Sequence, residues 1–257
     1  MCLIALAWRA HPKYPLIVAA NRDEFHARPT APAAFWDDAP VLAGRDLLAG
    51  GSWMGITRTG RFAALTNVRD REPKPDAPSR GALVADFLRG DDSAAEYVRD
   101  IAARGAAYSG FNLLLGDHDA LWFVSNHGAR PCELPPGVHA VGNGPFGPGD
   151  AKARRAAERL RELLADERAT EAGELFALLA DRTPAADAEL PDTGMGREVD
   201  RAVSAPLVVT PEYGTRSSTV LTLDDDGCVD FVERSFGRAG EPLATAEYHF
   251  AIAGDPA

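Results

Sequence analysis

Cysteine, positive charge and long apolar runs are all scarce in these 257 residues. The three cysteines, Cys2, Cys132 and Cys228, are odd in number and widely spaced, with no Cys-x-x-Cys pair. That argues against a disulfide framework or a zinc knuckle and for a reducing, cytoplasmic setting. Lysine and arginine total 27 against 38 acidic residues, a formal net charge of −11. A nucleic-acid partner would need a basic face, so none is expected, and electrostatic docking on anionic lipid is disfavoured. The longest clean apolar stretches, 3–8 and 16–20, fall far short of the ~20 residues of a membrane span. Arg9, His11 and Lys13 interrupt the N-terminal stretch too early for a signal peptide. The six histidines (His11, His26, His118, His127, His139 and His249) show no metal-ligand spacing, so no metal site is expected.

What remains is ordinary for a globular chain: 46% apolar and 25% charged residues, with length for one large core. A single domain over residues 1–257 is expected. Residues 2–8 and 16–20 read as arms of a hairpin, and 21–40 as a proline-rich loop. A second hairpin is expected over 52–57 and 61–66, around Arg58-Thr59-Gly60. Two helices follow, at 79–88 and, opened by the capping-box pattern Ser93-Ala94-Ala95-Glu96, up to Gly105. Strands are expected at 112–115, 121–125 and 138–141. The spacing of Ala153, Ala156, Ala157, Leu160, Leu163 and Leu164 predicts a strong helix over 150–167, with Lys152 and its charged neighbours as a solvated face. A helix at 170–179, a polar loop over 181–205 (lid or connector) and strands at 217–223, 228–235 and 247–252 complete the chain. Strands, helix pair, strands, helix pair, strands is an α+β order, suited to packed sheets with helices outside.

Cys2 is the most reactive-looking residue. Removal of Met1 before a small residue would leave a thiol and an α-amine on one residue, and the amine can take the thiol proton. Four polar clusters at strand ends accompany it: Asn21-Arg22-Asp23-Glu24, Leu65-Thr66-Asn67, Gly142-Asn143-Gly144-Pro145-Phe146, and Tyr213 to Thr219 around Arg216. In the third, a side chain between glycines can approach a ligand closely. Its Gly142-x-Gly144-x-x-Gly147 spacing lacks the βαβ context of a dinucleotide site.

Cys2 before a strand, Asn-Arg-Asp-Glu after a second one, Gly50-Gly51-Ser52-Trp53-Met54-Gly55, Leu65-Thr66-Asn67 and the late Gly214-Thr215-Arg216-Ser217-Ser218-Thr219 together resemble the NRDE family, also called the transport and Golgi organisation protein 2 family. Its layout is similar to N-terminal nucleophile hydrolases of the choloylglycine hydrolase and penicillin V acylase type. The resemblance implies a four-layer αββα sandwich of two mostly antiparallel sheets. It also implies Cys2 as nucleophile, Asp23 as partner of its amine, Asn67 and Asn143 near the oxyanion, and Arg216 as a late active-site arginine. Asn21, Arg22 and Trp53 are the expected substrate-binding residues. Those hydrolases carry an arginine just before the Asn-x-Asp segment, where this chain has Ala20. Neighbouring side chains of a strand face opposite ways, which counts against Arg22 as its replacement.

Two readings of function stand side by side. One is a cofactor-free amidohydrolase that cleaves a non-peptide amide or acyl bond of a small molecule through Cys2. The other is a non-enzymatic cytosolic carrier or chaperone for haem or a hydrophobic acyl ligand, as the family's association with haem and lipid implies.

Overall fold

A computed structural model describes residues 2–68, 74, 76–147, 150–190, 194 and 196–253. The chain opens with β1 (Leu3–Trp8) and β2 (Leu16–Phe25), which pair antiparallel with Leu3 opposite Asn21. β3 (Thr30–Phe35), β4 (Val41–Asp46), β5 (Met54–Thr57) and β6 (Phe62–Asn67) follow as a meander. Next come α1 (Gly81–Arg89) and α2 (Ala94–Arg104), the latter closed at its start by the expected Ser93–Glu96 capping box. β7 (Phe111–Gly116), β8 (Leu121–Ser125), β9 (Cys132–Glu133) and β10 (Gly137–Val141) lead to α3 (Ala151–Ala165) and α4 (Ala172–Leu179). A short helix α5 (Arg197–Val203) precedes β11 (Tyr213–Leu223), β12 (Cys228–Phe236) and β13 (Pro242–Ala251).

The strands form two antiparallel sheets, ordered β10-β1-β2-β11-β12-β13 and β3-β4-β5-β6-β7-β8-β9. Alternation along each strand decides what packs where. Ile4, Leu6, Trp8, Leu16 and Val18 face the second sheet and meet Leu42, Ile56, Phe62, Leu114 and Phe123. Leu3, Ala5, Ala7, Ile17 and Ala19 face outward onto Leu160 and Leu163 of α3 and Leu175 and Leu179 of α4. On the other side, Val41, Ala63, Leu113 and Leu115 meet Leu83 and Phe87 of α1 and Val98 and Ile101 of α2. This is the expected αββα sandwich. Both faces of β1 are covered, so all six of its residues are buried, each large one contributing about 1.5–3 kcal/mol.

Two expectations need correction. The 21–40 stretch is not a loop, because β2 runs on to Phe25 and β3 spans Thr30–Phe35. Its polar residues stay in register because β11 pairs along the whole length of β2. Pro32 is tolerated at the register shift between Ala31 and Ala34, on an edge strand where no donor is needed. The 181–205 stretch is not continuous loop either: it holds a 3-10 turn at Asp187–Glu189 and α5, which anchors through buried Val203. Residues 191–193 and 195 of the suggested lid lie outside the described residues, as does Met1.

Candidate active site around Cys2

Cys2 lies just before β1 on the face that looks into the sandwich, 6% exposed. Because Ile4 pairs with Val141, the chain leaving β10 passes directly beside Cys2. There the Cys2 N–H donates to Asn143 Oδ1 at 2.7 Å, and Asn143 Nδ2 donates to the Asn67 carbonyl at 2.6 Å. One side-chain amide thus ties the nucleophile candidate in one sheet to the end of β6 in the other. The turn around it is held from both sides. Thr66 Oγ1 and Asn112 Nδ2 donate to the Gly142 carbonyl at 2.5 and 3.3 Å, and the Asn143 N–H donates to Asp150 Oδ2 at 3.1 Å. A Cβ at position 142 would sit 1.9 Å from that Asp150 oxygen, so a side chain there would displace the carboxylate.

The Asn67 N–H is aimed into the same space. The Leu65 N–H donates to Trp53 at the end of β5, and the Val68 N–H donates to Gly110 beside β7. Main-chain N–H groups two residues apart point to the same edge. The Asn67 N–H therefore leaves the β5 edge just where the chain at Ser52 has turned away to bond Gly81. Gly51 permits that turn, since a Cβ there would meet the Gly81 carbonyl carbon at 2.4 Å.

Arg22 corrects the expectation drawn from Ala20. The two lie two positions apart, so they share a strand face, and Arg22 joins Cys2 in the lining of a cleft of about 540 Å³ including the open solvent at its mouth. Its guanidinium lies 4.4 Å from the centre of the Trp53 ring and donates to Thr30 Oγ1 at 3.0 Å. Burial lowers its pKa from the usual guanidinium value, while Glu24 and the Cys2 thiolate pull it back up. Trp53 in turn rests on Gly44, where a Cβ would fall 2.1 Å from the indole. Arg28 donates to Asp46 Oδ2 through two nitrogens at 2.9 and 2.6 Å. Burial of Asp46 opposes ionisation, yet these bonds hold its carboxyl below the usual range. Next to the lining residues Glu24 and Asp46, the apolar Phe25, Leu47 and Leu48 stand exposed.

Asp23 meets Cys2 through its main chain, its carbonyl lying 3.9 Å from Cys2 Sγ. Its carboxylate is held on the helix side by Lys152 Nζ at 3.0 Å and Thr215 Oγ1 at 2.7 Å. Asn21 also faces the helices, donating to the Leu179 and Pro206 carbonyls and accepting from Ser218. It is outside the cleft. Arg216 sits at a bulge opposite β2 and donates to the carbonyls of Phe25, His26 and Arg28, so it braces the turn behind the cleft. Cys2, Arg22, Asp23, Trp53, Asn67 and Asn143 are thus brought together; Asn21 and Arg216 are set apart from them.

Two polar residues went unrecognised in the sequence. Asn112, 1% exposed, reads as an ordinary strand residue. Its charged neighbours suggest a solvated face for Lys152, but it is 4% exposed. Positions 152, 156, 160 and 163 form one helical stripe, so the periodicity itself carried that signal. All three cysteines are free, with Cys132 exposed and Cys228 half-buried. Among the described residues, no helix is long and apolar enough to cross a membrane.

The αββα sandwich with a cysteine heading its first strand is the fold of the N-terminal nucleophile hydrolases. A penicillin V acylase from Agrobacterium tumefaciens superposes with a TM-score of 0.54 at 13% identity, covering 98% of this chain and 86% of that one. A mutant conjugated bile acid hydrolase from Clostridium perfringens gives 0.55 at 10% identity, covering 99% and 98%. At such identities the likeness is one of fold. Within that fold the chain belongs to the Transport and Golgi organisation 2 family, whose description it matches over residues 1–238. The Transport and Golgi organization protein 2 homolog of Bos taurus is 38% identical over 263 residues, covering 91% of this chain and 93% of that protein.

Proposed function

We propose that the protein is an amidohydrolase that cleaves a non-peptide amide or related acyl bond of a small molecule, with Cys2 as nucleophile after removal of Met1. The observation that carries this reading is the placement of Cys2 in one cleft with Arg22 and Asn67, with Asn143 bonded to the Cys2 nitrogen and to the Asn67 carbonyl. The Cys2 amine takes the thiol proton, and the sulfur attacks the carbonyl carbon. The Asn67 N–H and the second N–H of Asn143 Nδ2 receive the oxyanion. The amine then protonates the leaving nitrogen as the C–N bond breaks, and water hydrolyses the thioester with the amine as base. Arg22 takes the part of the arginine missing at position 20 and favours the thiolate, while Asn143 holds the nitrogen of Cys2 and the Asp23 carbonyl lies against its sulfur. Exposed Leu47 and Leu48, which follow the lining residue Asp46 in the chain, suit an apolar acyl group extending out of the cleft.

The same two exposed leucines speak for the carrier of a hydrophobic acyl ligand. Haem has less support, because the described cleft lining includes no histidine or methionine and offers iron only the Cys2 thiol. In either reading we place the protein in a reducing, cytoplasmic compartment. Intact mass of the purified chain, before and after exposure to a panel of acyl amides, tests the proposal. Loss of Met1, a transient acyl adduct on Cys2 and loss of turnover in Cys2→Ala are expected. A chain that keeps Met1, or a Cys2→Ala variant with full turnover, overturns it. Retained binding of an acyl ligand without turnover would assign the carrier role instead.

A further inference from the structure

We propose that Lys152 is a positioning residue of the Cys2 site: it neutralises and fixes Asp23, and so sets the pH at which Cys2 becomes reactive. This rests on the reading of Cys2 as the nucleophile. The Lys152–Asp23 pair is closed from water, at 4% and 0% side-chain exposure, with 3.0 Å between Nζ and Oδ2. A buried pair of this kind costs desolvation on both partners and is weak as a source of stability. Its location supplies the reason to keep it. The Asp23 main chain is where the Cys2 sulfur rests, and Tyr213 Oη donates to that same carbonyl at 2.9 Å.

The first turn of α3 reaches Cys2 along two routes. Asp150 caps the helix by accepting from the Ala153 N–H at 3.1 Å and also accepts from the Asn143 N–H, which leads to the Cys2 nitrogen. Two residues on, Lys152 holds Asp23, which leads to the Cys2 sulfur. One helical turn therefore sets both atoms of the nucleophile.

The sign of the effect follows from charge. Losing the Lys152 charge beside the Asp23 carboxylate makes the potential at Cys2 more negative, which disfavours the thiolate and favours the protonated amine. Both changes move Cys2 reactivity to higher pH. The other charged groups facing Cys2 are Arg22 and Glu24 from β2, Arg28 from the following turn, Asp46 from β4 and Arg80 before α1. All stay in place when Lys152 is changed.

The test is the pH profile of Cys2 alkylation by iodoacetamide, read by peptide mass in wild type, Lys152→Met, Lys152→Arg and the double variant Asp23→Asn with Lys152→Met. Lys152→Met should raise the midpoint by about half a unit to one unit, slowing alkylation about threefold to tenfold at pH 7. Lys152→Arg should stay near wild type. The double variant, with no ion left buried, should return to the wild-type midpoint or below it. Should Lys152→Met fail to fold, Asp23→Asn alone carries the test: it leaves the Lys152 cation without its carboxylate, so the midpoint should fall below wild type, and a midpoint at or above wild type overturns the proposal. Profiles that all overlay wild type in folded protein overturn the proposal, whatever happens to thermal stability. Alkylation does not require turnover, so a protein that hydrolyses no amide can still pass, and an active hydrolase can still fail.

Discussion

Asn143 and Cys2 meet across 141 residues of sequence, with Asn143 Oδ1 accepting the Cys2 N–H at 2.7 Å. The other end of the same amide donates to the Asn67 carbonyl, so rotating it breaks both bonds at once. Asn143→Leu should therefore cost about 1–3 kcal/mol of stability, since a buried N–H is left without a partner. Asn143→Asp keeps the acceptor and loses the donor. A buried carboxylate oxygen then faces the Asn67 carbonyl, so this variant too should melt below wild type, and it should lose about 10²–10³ in turnover if Nδ2 serves the oxyanion. Melting curves and steady-state rates of the two variants separate the roles.

Much of this fold was legible because it rests on local periodicity. Leu3–Trp8, the 62–67 strand, the Ser93 capping box and the α3 stripe all announce themselves in residue type. The misreadings lie where tertiary pairing overrides composition. Asn21-Arg22-Asp23-Glu24 looks like a turn, but β11 pairs along all four residues, with β1 opposite Asn21. The motif residues Cys2, Asn67 and Asn143 could be picked out by their position at strand ends. Which of their companions face the cleft depends on strand parity. That is why Arg22 enters it and Asn21 does not.

Arg22 offers the second prediction. Arg22→Met removes a buried cation of the cleft that interacts with Cys2, and alkylation of Cys2 at pH 7 should slow by about tenfold. Trp53→Leu leaves the charge but removes the ring beneath it. A stacking contribution of about 0.5–1 kcal/mol predicts a smaller, two- to fivefold effect as the guanidinium loosens. Equal effects of the two variants would mean that Trp53 acts on Cys2 directly instead of through Arg22.

Glu233 gives a pH dependence with a definite sign. It is 2% exposed and bridges the two sheets, accepting from the Ala33 N–H at 2.7 Å and from Thr219 Oγ1 at 3.3 Å. Burial pushes its pKa up, against the hydrogen bonds and the charge of Arg22. Its contribution to stability is thus fully present below the unfolded value of about 4.3 and is lost as pH rises through the higher folded value. Glu233→Gln keeps an acceptor for Ala33 and carries no charge. Urea unfolding should show it gaining on wild type at pH 8 and drawing level near pH 4.

Gly142 tests whether the α3 cap and the Cys2 site are one structure. A Cβ at this position would stand 1.9 Å from Asp150 Oδ2, the atom that accepts the Asn143 N–H. In Gly142→Ala the carboxylate must swing away, giving up its bonds to both Asn143 and Ala153. Loss of an aspartate cap costs typically ~1 kcal/mol, so a modest fall in melting temperature is expected. The larger consequence falls on the cleft, because Asn143 no longer holds the Cys2 nitrogen in place. Asp150→Ala loses the same cap but leaves the 142–143 turn unstrained and still bonded by Thr66 and Asn112. The two variants should therefore match in stability loss and differ in Cys2 reactivity, with Gly142→Ala the more severely impaired; equal impairment would show that the cap alone orders the site.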